Sequence, residues 1–83
     1  MKYVTMTEIN ALKNLIEAKQ QHIAYLQRVV AQIRSSYKSM TNSQLAEALR
    51  DVHGMLAQVE SEKAWIARAR IKIDEFYKPA IAA

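Results

Sequence analysis

The chain has two histidines, His22 and His53, on separate stretches, and no cysteine. Neither histidine sits in an HExxH or ExxH spacing, so no two ligands fall on one helical face to hold a metal. Thiolate zinc sites and disulfides are excluded by composition. Ser35, Ser36, Ser39 and Ser43 cluster mid-chain, but no His or Asp stands at a spacing that would activate one as a nucleophile. Glu60 and Glu62 read most simply as solvent charges. Arg28, Lys38, Arg50 and Asp51 are residue types that could line a dicarboxylate pocket between long helices, yet they form no motif. The expectation is a protein without catalytic residues, cofactor, metal or small-molecule substrate.

The basic residues suggest a different chemistry. Residues 1–42 carry six Lys/Arg and two Glu, while residues 43–83 carry six of each sign, so the whole net charge of +4 belongs to the first half. No acidic residue falls between Glu17 and Glu47. Arg28, Arg34, Tyr37 and Lys38 therefore form a candidate phosphate-contacting group, since cations with an interleaved aromatic suit a nucleic-acid backbone. No RNP, helix-turn-helix or zinc-finger pattern accompanies them. A second basic group, Lys63, Arg68, Arg70 and Lys72, flanks Trp65.

The elements that position these residues follow from periodicity. With 83 residues, 51% of them hydrophobic, and one Gly and one Pro, the chain is one small domain without loop-rich architecture. Ile9, Leu12, Ile16, Lys19, Ile23, Leu26, Val30, Ile33, Tyr37 and Met40 step alternately by three and four. That is the seam of a coiled coil, broken only by Lys19. Thr5 and Glu8 fit a capping box, with Val4 and Ile9 as its staple pair, so helix 1 is expected over about 6–38. The polar cluster places a turn at about 39–42.

Thr41 and Gln44 repeat the box, with Met40 and Leu45 as staple. Helix 2 is expected over about 43–77, with a frayed tail at 78–83 after Pro79 ends the helix. Its seam reads Leu45, Leu49, Val52, Leu56, Val59, Lys63, Ile66, Arg70, Ile73 and Tyr77, with Ala48, Met55, Ala69 and Phe76 alongside. Gly54, after His53, is the one position where this helix could break.

Two such helices predict an all-α fold, a long antiparallel helical hairpin with a coiled-coil-like seam. In that register Leu12 lies near Ile73, Leu26 near Val59 and Ile33 near Val52. Lys19 then falls within a turn of Glu62, and the pair would satisfy the polar break. Helix 1 carries a further row, Ala11, Leu15, Ala18, His22, Tyr25 and Val29, about 100° around the helix from the first. A face that wide needs more than one neighbour, so the hairpin is expected to associate as a dimeric four-helix bundle. Function is expected to be non-enzymatic: a small adaptor, assembly factor or inhibitor that docks on a larger protein. The contact residues would be Leu15, His22, Tyr25, Val29, Trp65 and Phe76, and a small dimeric nucleic-acid-binding protein is the alternative. The N-terminal stretch is too interrupted by polar residues for a signal peptide, and no membrane segment is legible, which places the chain in the cytoplasm.

Overall fold

A computed structural model describes residues 5–78. Helix α1 spans Met6–Ser35 and helix α2 spans Asn42–Tyr77, joined through a short 3-10 turn at Tyr37–Ser39. The helices fold back on each other as an antiparallel hairpin, a rod of 64 × 21 × 18 Å. Among the described residues no helix is long and apolar enough to cross a membrane.

Each helix end has a local cause. The Thr5 hydroxyl accepts the Glu8 N–H at 3.2 Å, and Glu8 adds an acidic side chain in the first turn, where the positive end of the macrodipole attracts it. Val4, the other half of the expected staple, lies outside the described residues. α1 stops at Ser35, three residues before the expected end. There the Ser35 and Ser36 hydroxyls both donate to the Gln32 carbonyl, at 2.7 and 3.3 Å. The Ser36 N–H donates to the Ile33 carbonyl at 3.0 Å. Side-chain competition and a shift to i→i−3 bonding tighten the last turn.

At Thr41 the capping box is complete. Its hydroxyl accepts the Gln44 N–H at 3.2 Å and its N–H donates to Gln44 Oε1 at 3.0 Å. α2 then runs unbroken through Gly54, which has no left-handed backbone angle. It ends at Tyr77, where Lys78 turns to an extended conformation ahead of Pro79. Of the expected frayed tail, 78–83, only Lys78 is among the described residues.

The α1 face of the core is the seam read from the sequence. Ile9, Ile16, Ile23, Leu26 and Val30 are buried, and Leu12, Lys19, Ile33, Tyr37 and Met40 are half-buried. On α2 the expected seam is half right. Leu45, Val52, Val59, Ile66 and Ile73 do line the interface, but Leu49 (50% exposed), Leu56 (36%), Lys63 and Arg70 face out, and Tyr77, half exposed, reaches Lys13 and Met6 of α1 at the rim. Their places are taken by Ala48, Met55, Glu62, Ala69 and Phe76. α2 is thus rotated by half a seam from the simplest reading. The rotation keeps Lys63 and Arg70 from being buried beside Lys19 and brings Glu62 there instead, replacing three clustered cations by an ion pair.

Candidate interaction surface

A polar node interrupts the seam near the middle of the hairpin. Glu62 projects from α2 with its side chain only 12% exposed, so it is not the solvent charge the sequence suggests, whereas Glu60 is. His22 Nδ1 donates to both carboxylate oxygens, at 2.9 and 3.0 Å. Lys19 Nζ lies 3.8 Å from Oε1 and 5.0 Å from the centre of the Trp65 ring. One carboxylate thereby serves both Lys19 and His22, and Trp65 covers the ammonium from the side, while Lys13, nearer the open end, donates to the Tyr77 hydroxyl at 3.0 Å. A Lys19–Glu62 pair is legible from the antiparallel register. The share taken by His22 is not, because it depends on which side of the seam each helix turns.

The second row of α1 is only partly covered within the hairpin: His22 meets Glu62, and Ala11 and Leu15 border Phe76 across a groove. Leu15 is 49% exposed and Tyr25 54%; Ala11 and Ala18 are exposed, and Val29 and His22 half-buried. The rings of His22 and Tyr25 stack with centroids 6.4 Å apart and planes at 14°. Tyr25 thus extends a side chain that Glu62 already holds, and both aromatic rings of the row take a fixed place on the surface.

Trp65 and Phe76 are half-buried on α2. Trp65 packs against the central apolar cluster of Ile16, Ile23, Leu26, Val59, Ile66 and Ala69. Phe76 contacts Tyr77 edge to face, 5.2 Å between centroids at 86°. It also lines a groove of about 640 Å³ with Leu12, Ala11, Leu15, Glu8, Lys72 and Glu75 at the open end of the hairpin. The expected contact residues therefore share one side of the rod: the α1 row, its continuation into this groove, and Trp65 at the rim. Lys72 and Glu75 frame the groove; sequence marks Lys72 only as part of the basic group around Trp65, and Glu75 not at all.

At the turn end Arg28, Arg34 and Lys38 are exposed and Tyr37 is half-buried. The fold brings Glu47 and Asp51 to the same end, where both line a shallow surface with Ile33, Met40, Gln44 and Ala48. A stretch that is purely basic along the chain is of mixed sign in space. Arg50, considered for a dicarboxylate pocket with Asp51, Arg28 and Lys38, is exposed like the other three. No protein-family model, curated protein or solved structure matches the chain, and the functional reading therefore rests on this surface.

Proposed function

We propose that this chain is a non-enzymatic protein–protein interaction module. It takes a partner's apolar helix along the α1 row, with Trp65 at the rim, and acts as an adaptor, assembly factor or inhibitor of a larger protein. The observation that carries this reading is the row Ala11 to Val29, which repeats a coiled-coil spacing yet leaves Leu15 and Tyr25 about half exposed and its alanines on the surface. Scattered apolar residues on a surface are ordinary, but a row in register with a helical repeat is a docking face. Large aromatics such as Tyr25 and Trp65 are the residue types that dominate binding energy at such faces.

The test compares capture of protein from host lysate by the tagged chain and by its Tyr25→Arg variant, each with and without nuclease. The reading expects a stoichiometric protein band that survives nuclease, disappears with Tyr25→Arg and persists with Arg34→Ala plus Lys38→Ala. Loss of all captured material under nuclease would transfer the function to the basic turn and a nucleic acid.

A further inference from the structure

We infer that the helix laid along this row is α1 of a second copy, antiparallel to the first. The proposal rests on the interaction reading above and assigns the row to self-association, so that a larger protein would meet the assembled dimer. Three observations lead to it. The first is exposure along the row itself. Leu15 and Tyr25 are 49% and 54% exposed, with Ala11 and Ala18 exposed beside them, so the row offers apolar surface over about five turns of α1.

The second is self-complementarity. Paired antiparallel about its own midpoint, the row sets Ala11 against the partner's Val29, Leu15 against the partner's Tyr25, and Ala18 against the partner's His22. Each alanine meets a larger side chain, and the two most exposed large residues of the row cover one another. The row ends in Glu8 and Gln32, which meet each other as polar ends. On its outer flank Thr7 meets the partner's Ser35, Asn14 the partner's Arg28, and Gln21 its own copy. None of these flanking pairs brings like charges together.

The third is where the fold puts the midpoint. The dyad of this pairing falls at the level of Lys19 and Gln21. Glu62 and Trp65 of α2 reach the same level, one bonded to His22 and Lys19, the other lying under the Lys19 ammonium. Lys19 approaches its own copy at the dyad, and each carries a Glu62 carboxylate that offsets the repulsion. The only tryptophan and the only polar break of the α1 seam thus gather where a two-fold axis would pass.

Single cysteines test the geometry, because the chain has none of its own. With a short bismaleimide, Gln21→Cys should cross-link to itself. Thr7→Cys and Ser35→Cys should each fail alone, since like residues there stand about 40 Å apart along the axis, and should cross-link when mixed. Sedimentation should give a dimer that Tyr25→Arg weakens by about 100-fold while helical circular dichroism persists. Self-cross-linking of Ser35→Cys would overturn the antiparallel pairing. A monomeric mass at 100-fold above the micromolar range (about 0.1 mM) would overturn the dimer. In that event loss of lysate capture by Tyr25→Arg would leave the interaction reading standing, and unchanged capture would remove both.

Discussion

Helix α1 bears two apolar rows of the same spacing, and they meet opposite fates. The row from Ile9 to Met40 is covered by α2; the row from Ala11 to Val29 is left open. The covered row is built mainly of Ile, Leu and Val, which have few polar atoms and pack firmly. The open row mixes Ala11, Leu15, Ala18 and Val29 with two rings that have polar tips, His22 and Tyr25. Such residues tolerate water on one side and a partner on the other. The first row holds the hairpin together, and the second presents it.

Substitutions can break or sharpen that contrast. The largest effect is expected from Leu26→Asp, which places an unpaired charge in the seam of a side chain only 7% exposed. It should destabilise the hairpin by about 4 kcal/mol or more and abolish its helical circular dichroism. Tyr25→Asp in the open row should leave that signal intact. Equal unfolding by both would erase the distinction between the rows.

Next comes the rotation of α2. Val59→Ala removes methyl groups from a residue 2% exposed and should cost about 2 kcal/mol in urea denaturation at fixed chain concentration. Leu56→Ala deletes more atoms, but from an outward face, and should cost under about 1 kcal/mol. The reverse order would restore the Leu49–Leu56 seam.

A smaller, opposite effect is expected at the polar node. Replacing Lys19 and Glu62 together by Leu should raise the melting temperature, since an apolar layer commonly outperforms a half-buried ion pair. Glu62→Leu alone should lower it relative to the double variant, because a half-buried Lys19 ammonium then loses its carboxylate. The smallest change is Gly54→Ala. A Cβ there meets nothing within 4 Å, and the added helix propensity should raise stability by about 1 kcal/mol.

Much of the fold was legible because it is local or periodic. The α1 seam needs only a repeat of three and four. The capping box at Thr41 needs only Gln44 three residues on. The pairing of Lys19 with Glu62 follows from folding one helix back over a short turn. The α1 end was placed late, because serine hydroxyls near Gln32 can either continue a helix or unwind it, and sequence does not say which carbonyl they take. The site was legible as a set of exposed apolar residues but not as a surface. Glu62 looked like a solvent charge, and Glu47 and Asp51 come to the basic turn end only because α2 folds back over α1.

By itself, then, the sequence determined two helices, their antiparallel pairing and which row of α1 lies inside. The choice between two adjacent rows of α2 was left to tertiary structure. Both rows contain Leu45, Val52, Val59, Ile66 and Ile73, and a turn of the helix by half a seam separates them. Locally Leu49 and Leu56 are the more apolar choice. Across the whole interface that choice would also bury Lys63 and Arg70 beside Lys19, while the other supplies Glu62. Desolvating three cations costs more than two exposed leucines, and that sum exists only once both helices are in place.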